Sequence, residues 1–319
     1  MSERPAPHPF VLAIDPATPP PGLQGAVVAI GNFDGLHRGH KAVIARARAL
    51  AARLARPCAV LTFEPHPADF FAAAPIIFRL TPRDAKARML RRLGLDGMIV
   101  LTFDAGLAGL SADAFVADIL VRRLGVAAVV AGYDFHFGKG RAGSPAFLAQ
   151  AGREHGFAVE VVARITADAA GALDAVSSTA TREALEHGDV RRAREFLGED
   201  YFAVGNVIPG KQLGRTLGFP TANIALDPSC RLAHGVYAVR VGLDGATYGG
   251  VASFGRRPTF DNGPPLLEVY LFDFAGDLYG RTLEVAFVGF IRGEAKFDSV
   301  EALVAAMHAD AARARALLA

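Results

Sequence analysis

Two cysteines, Cys58 and Cys230, are all that the chain contains. They stand far apart with no C-x-x-C spacing, which excludes a disulfide framework and a tetrahedral thiolate zinc site and fits a reducing compartment. Long hydrophobic runs are missing too. Stretches such as Ala26–Ile30 and Val126–Ala131 are far too short to span a bilayer. The opening residues, Met1 to Phe10, lack the basic stretch and apolar run of a secretory signal, so a cytoplasmic protein is expected. Neither sign of charge is in excess: 34 basic and 32 acidic residues are scattered along the chain, without a basic block or a basic–aromatic stripe. Nucleic acid is therefore not an expected partner, and neither a membrane nor an obligate protein partner is indicated. No internal repeat is visible. What is present is ordinary globular composition, with 51% apolar and 21% charged residues over 319 positions. That length exceeds the roughly 250–300 residues at which one core stops growing, so two domains are expected.

From Gly25 to about Thr166, short apolar runs alternate with amphipathic stretches. The runs Ala26–Ile30, Cys58–Phe63, Met98–Phe103, Val126–Ala131 and Ala158–Ile165 read as strands of a parallel α/β sheet. Thr81-Pro82 opens a helix over 83–93 and Ser111 opens one over 112–124, closed by Gly94 and Gly125. A charged helical stretch follows over 181–196. From Tyr201 the style changes to short β-rich runs separated by glycine-rich turns, 201–208, 235–243, 247–254, 266–274 and 282–290, which read as an antiparallel barrel or strongly curled sheet. A last helix begins near Asp298, with Glu301 completing a capping box. The boundary is expected near residues 186–200, giving domains of 1–186 and 187–319.

Gly31-Asn32-Phe33-Asp34-Gly35-Leu36-His37-Arg38-Gly39-His40 lies between the strand at 26–30 and a helix over 41–54. The glycines permit a tight turn and close approach of a ligand, and the helix start offers N–H groups and partial positive charge to phosphate. His37 and His40 share one face of the first turn and can donate to a departing pyrophosphate. The plainer reading makes them helix caps; a metal site is disfavoured by the lack of a cysteine or third histidine nearby. Ser178, Thr179 and Arg182 place hydroxyls before a helix and an arginine one turn in, which suits either an N-cap or an arriving phosphate.

A second dense region runs from Gly205 to Ile224. It holds no G-x-x-x-x-G-K-[ST] and feeds a β-module, so it is not a P-loop. Glycines including Gly210 and Gly214 permit close approach, Lys211 and Arg215 offer positive charge, and Thr221 and Asn223 supply two neutral oxygens suited to Mg2+ shared with phosphates. A surface loop is the plainer alternative. Glu268 alternates with Leu267, Val269 and Leu271, so it faces away from them, either as a solvated outer residue or as a general base.

The H-x-G-H segment resembles the signature of the nucleotidyltransferase superfamily. With Thr62-Phe63-Glu64-Pro65-His66-Pro67, Gly132-Tyr133-Asp134-Phe135, Pro220-Thr221-Ala222-Asn223, Leu266-Leu267-Glu268-Val269 and Arg292-Gly293-Glu294-Ala295-Lys296-Phe297, the chain is similar to the prokaryotic bifunctional riboflavin kinase/FAD synthetase family from about Gly25 to Leu318. Taken alone, His66 and Asp134 read equally well as turn residues. The resemblance implies an α/β plus β protein: a nucleotidyltransferase (Rossmann-like) parallel-sheet domain, then an antiparallel β-barrel riboflavin kinase domain with a C-terminal helix. It implies the substrates riboflavin, FMN and ATP with Mg2+. It assigns ATP phosphates to residues 31–35, Ser178, Thr179, Arg182, Gly210, Lys211, Gly214 and Arg215, and Mg-ATP to Thr221 and Asn223. Flavin contacts fall to His66, Asp134, Phe135, Arg292 and Phe297, and the role of base to Glu268. His136, Ala180-Thr181, Pro209, Ser253 and Tyr270 depart from the family pattern. Two other readings are a kinase whose first module has another acceptor or is inactive, and a flavin-binding regulator on the same scaffold.

Overall fold

The computed structural model describes residues 9–72, 74–164, 176–210, 218–256 and 265–319. The chain divides into two units, Met1–Ile77 with Arg83–Val176, and Phe78–Pro82 with Ser177–Ala319.

The first unit is built on six parallel strands: β1 (Val11–Ile14), β2 (Val27–Ile30), β3 (Cys58–Glu64), β4 (Gly97–Thr102), β5 (Ala128–Gly132) and β6 (Ala158–Val162). They lie in the order β1-β4-β3-β2-β5-β6, every neighbouring pair parallel. All four residues of β2 are buried, as are the first six of β3, which is why these strands read as unbroken apolar runs. From β2 the chain steps outward through β3 to β4 on one side, then returns to β5 on the other. The carboxyl end of β2 therefore stands at the topological switch point, where open α/β sheets leave a crevice for ligands.

Helix α1 (Arg38–Leu54) buries Val43, Ile44, Ala47, Leu50 and Ala51 along one stripe. It is followed by α2 (Pro67–Phe71), α3 (Arg83–Arg92), α4 (Ala105–Gly109), α5 (Ala112–Ala114) and α6 (Pro145–His155). The helix expected over 112–124 differs from a regular α-helix. Ser111 caps it, but after one α turn Phe115–Arg123 runs as π-helix, with Leu124 N bonded to Ile119 O at 2.9 Å. Phe115, Val116, Ile119 and Leu120 of this segment are buried in the core. Gly94 and Gly125 take positive φ (72° and 55°) as the two helices end.

The second unit opens with α7 (Ser178–Glu186) and α8 (Val190–Leu197), two helices where the sequence suggested one. Gly188 takes φ 77° and Asp189 then caps a new start, accepting from Arg192 N at 2.9 Å. Strands β7 (Phe202–Ile208), β8 (Ala222–Ala225), β9 (Gly235–Leu243), β10 (Ala246–Gly255), β11 (Leu266–Leu271) and β12 (Thr282–Arg292) close a barrel in the order β10-β11-β8-β7-β12-β9. Every pairing is antiparallel. Ile224, Val239, Leu267, Val269, Val285 and Phe287 fill its interior. Helix α9 (Val300–Leu318) packs outside, Ala314 against Ala238 and Phe272. Its cap is Ser299, whose hydroxyl accepts from Ala302 N at 3.1 Å, not Asp298. Glu301 reaches back to that serine.

Phe78–Pro82 contributes to this second core although it precedes most of the first unit in sequence. Phe78 and Leu80 are each 1% exposed there. Arg79 N donates to Ser229 Oγ at 3.0 Å and the Arg79 guanidinium pairs with Asp227 at 2.8 Å.

Candidate active sites

In the first unit, Gly31 N still donates to Leu61 O of β3 at 3.1 Å, after which the chain leaves the sheet. Phe33, Gly35 and Leu36 then take φ of 49°, 83° and 46°. Phe33 and Leu36 tolerate this left-handed backbone because their side chains are sealed in the core, at 1% and 0% exposure. The side chains thus anchor below while the main chain wraps tightly towards the start of α1. His37 is the N-cap: its Nδ1 accepts from His40 N at 3.2 Å. In the neutral ring that places the proton on Nε2, which makes that nitrogen a donor. The two imidazoles stack at 3.6 Å with 17° between planes, and Phe33 packs against His40 at 5.2 Å. The structure thus joins the two readings of these histidines, since His37 caps the helix and the pair stands at the switch point.

His66 caps α2 in the same way, its Nδ1 accepting from Ala68 N at 3.1 Å, with Nε2 3.2 Å from the Asn32 side-chain amide. Two motifs distant in sequence meet there. Asp134 lies exposed in the turn after β5, its main-chain oxygen 2.9 Å from His136 Nδ1. Phe135 stacks on Phe137 at 5.5 Å.

One residue of this site was not anticipated. Lys86, on α3, is 3% exposed, and its ammonium donates to Asn32 O at 2.9 Å, Thr62 Oγ1 at 3.3 Å and Glu64 Oε1 at 3.4 Å. Thr62 Oγ1 donates to the same Asn32 oxygen at 3.0 Å. The available signal was position: Lys86 falls on the stripe of α3 shared by buried Ala85, Met89 and Leu90.

Ser178, Thr179 and Arg182 lie on α7 of the second unit. Ser177 is the cap, accepting from Ala180 N at 3.1 Å, and Arg182 Nε donates to Phe78 O at 2.7 Å.

In the barrel, Glu268 of β11 stands opposite Asn223 of β8 on one side and Ser253 of β10 on the other, all three on the outer face. Leu267 and Val269 point inward, fully buried, as the alternation required. Asn223 is 7% exposed and lies under Gly210, where a Cβ would come within 2.2 Å of the Asn223 amide nitrogen. A glycine at 210 is what lets the main chain pass this close to that amide. Phe219, just ahead of Thr221, is held edge-on by Tyr270 at 5.0 Å and by His308 of α9 at 4.9 Å. Arg292 forks onto Asp310 of α9 at 3.0 and 2.6 Å, with its guanidinium 5.6 Å from the Phe297 ring centre. Lys211, Gly214 and Arg215 lie outside the described residues. Among the described residues no group of three or more His, Cys, Asp or Glu side chains is placed to hold a metal alone. The neutral oxygens of Thr221 and Asn223 are the donor set that suits an Mg2+ sharing substrate phosphates.

The chain thus joins a parallel sheet with a histidine pair at its switch point to a closed barrel with a carboxylate beside a buried amide, and comparison with known proteins identifies both modules as those of transferases. The family model for FAD synthetase matches residues 20–180 and that for riboflavin kinase matches residues 197–318. The bifunctional riboflavin kinase/FMN adenylyltransferase of Pseudomonas fluorescens is 44% identical over 94% of this chain and 95% of its own. That of Escherichia coli K12 is 40% identical over 92% of each. A solved structure of a macrolide-efflux protein from Streptococcus pneumoniae is 32% identical, with a TM-score of 0.78 over 94% of this chain and 97% of that one. The chain belongs to the bifunctional riboflavin kinase/FMN adenylyltransferase family: its first module adenylylates FMN and its second phosphorylates riboflavin. Among the described residues no helix is long and apolar enough to cross a membrane.

Proposed function

We infer that the two reactions divide between residues 1–186 and 187–319. Glu268 takes the proton of the riboflavin 5′-hydroxyl as that oxygen attacks the γ-phosphorus of ATP, giving FMN and ADP. Thr221 and Asn223 hold the Mg2+ that ATP brings, and Gly210, Lys211, Gly214 and Arg215 cradle its phosphates. Bound Mg2+ supplies charge neutralisation on the phosphates. Arg292 and Phe297 face the flavin. The juxtaposition of Glu268 with buried Asn223 carries this reading.

In the second reaction a phosphate oxygen of FMN attacks the α-phosphorus of a second ATP, the bond to the β-phosphate oxygen breaks, and FAD and pyrophosphate form. No base is needed, because the FMN phosphate is already an anion at neutral pH. His37 and His40, with Arg182, Ser178 and Thr179, stabilise the leaving pyrophosphate, and residues 31–35 bind the phosphates through main-chain N–H groups. His66, Asp134 and Phe135 contact the flavin. The stacked, capped histidine pair supports this assignment. The two cysteines, both free, suit a cytoplasmic setting.

The test is to incubate the full chain with riboflavin, MgATP and inorganic pyrophosphatase and follow the flavins by chromatography. Riboflavin passing to FMN and then to FAD supports both assignments. A halt at FMN overturns the adenylyl-transfer site, and no product at all would favour a flavin-binding regulator.

A further inference from the structure

We propose that Lys86 is a positioning residue for adenylyl transfer, acting through the Asn32–Phe33 peptide rather than by touching substrate. The proposal rests on the assignment of residues 31–35 to ATP phosphates.

A buried ammonium is stable only when each N–H finds an acceptor and its charge a counter-charge. Lys86 meets both conditions with Asn32 O, Thr62 Oγ1 and Glu64 Oε1. The choice of acceptors is informative. Thr62 and Glu64 belong to the rigid strand β3, whereas Asn32 belongs to the turn that must receive a ligand. The Asn32 carbonyl takes two donors at once, Lys86 Nζ at 2.9 Å and Thr62 Oγ1 at 3.0 Å, which fixes the rotation of that peptide.

The 32–33 peptide is planar and trans, so its N–H points opposite to its C=O. Clamping Asn32 O towards β3 and α3 therefore aims the Phe33 N–H away from them. The positive φ of Phe33, Gly35 and Leu36 makes this stretch expensive to hold in any single arrangement, and Lys86 adds to the anchoring by the buried Phe33 and Leu36 side chains a restraint on the Asn32 end. A preorganised turn matters most when charge develops on the phosphates, so loss of the clamp falls on turnover more than on flavin binding.

The experiment measures FMN adenylylation and riboflavin phosphorylation in the same full-length chain carrying Lys86→Met. The expected result is a fall in kcat for FAD formation on the order of 100-fold, with KM for FMN and riboflavin phosphorylation within about threefold of the parent. Lys86→Gln, which keeps donors for the Asn32 oxygen, should recover part of the loss. A Lys86→Met protein with kcat within about threefold of the parent, or a change confined to KM for FMN, overturns the proposal. His40→Ala in parallel separates the two layers: FAD formation surviving His40→Ala would refute the assignment of the site itself. If Lys86→Met does not fold, Thr62→Val decides. It removes one hydroxyl from the same carbonyl and should lower kcat several-fold at unchanged KM for FMN, and no change would refute the clamp.

Discussion

Glu268 stands directly across the β8–β11 pair from Asn223, whose amide is sealed beneath Gly210. The candidate base and the candidate ATP-binding amide are thus fixed by sheet register rather than by loops, which gives kinase chemistry a rigid frame. Glu268→Gln keeps the shape and removes the base. Riboflavin phosphorylation should fall by about 100- to 10,000-fold, while FAD formation from supplied FMN stays unchanged, as read in two separate initial-rate assays.

Replacing Gly210 with alanine should have a distinct signature. The added Cβ would collide with the buried Asn223 amide and displace it, so KM for ATP in riboflavin phosphorylation should rise together with a fall in kcat. Unchanged kinetics would mean that riboflavin phosphorylation does not need this close approach of residue 210 to Asn223.

Phe78 lies in the core of the second unit, edge-on to Tyr201 at 6.3 Å. Truncation to alanine should cost about 3–5 kcal/mol. Thermal inactivation of the riboflavin kinase activity should then move down by several degrees or more, although residue 78 precedes the barrel by over a hundred positions. An unshifted midpoint would contradict the packing.

Burial pushes the Cys58 thiol up to about 12 and the Cys230 thiol up to about 11, from an ordinary value of 9.0. Because the folded values are raised, the contribution of these thiols to stability is complete below pH 9 and is lost as the pH rises through 11 and 12. At pH 8 almost no thiolate exists in the folded chain, so a disulfide reagent should titrate no thiol rapidly in the native protein and two after denaturation. In the Cys58→Ala, Cys230→Ala double variant, the decline in stability above pH 9 should be shallower.

Much of the architecture was legible because burial writes itself into local pattern. Strands β2 to β5 are buried along nearly their whole length, and β11 and β12 alternate in burial, as a sheet covered on two faces and a barrel wall require. β1 escaped because four alternating residues, half of them exposed, give too short a signal. β8 escaped because it follows directly on a glycine-rich loop. The break between α7 and α8 turns on one glycine conformation within a continuous helical pattern. The π-helical register of 115–123 leaves the same residues buried as an α-helix would, so periodicity does not expose it. At the sites, sequence singled out His37, His40, Asn223 and Glu268, whose residue types suit the proposed chemistry. It did not single out Lys86, because in the highly charged α3 one lysine resembles its solvated neighbours. Only the approach of Asn32 O, fifty-four positions away, sets Lys86 apart.

The central claim is that one chain holds two separable sites. The most direct measurement supplies riboflavin and MgATP to Glu268→Gln alone, to His40→Ala alone, and to the two mixed, and follows the flavins over time. The account predicts that the first leaves riboflavin, the second stops at FMN, and the mixture proceeds to FAD. FAD from either variant alone, or a mixture that fails to make it, would contradict the account.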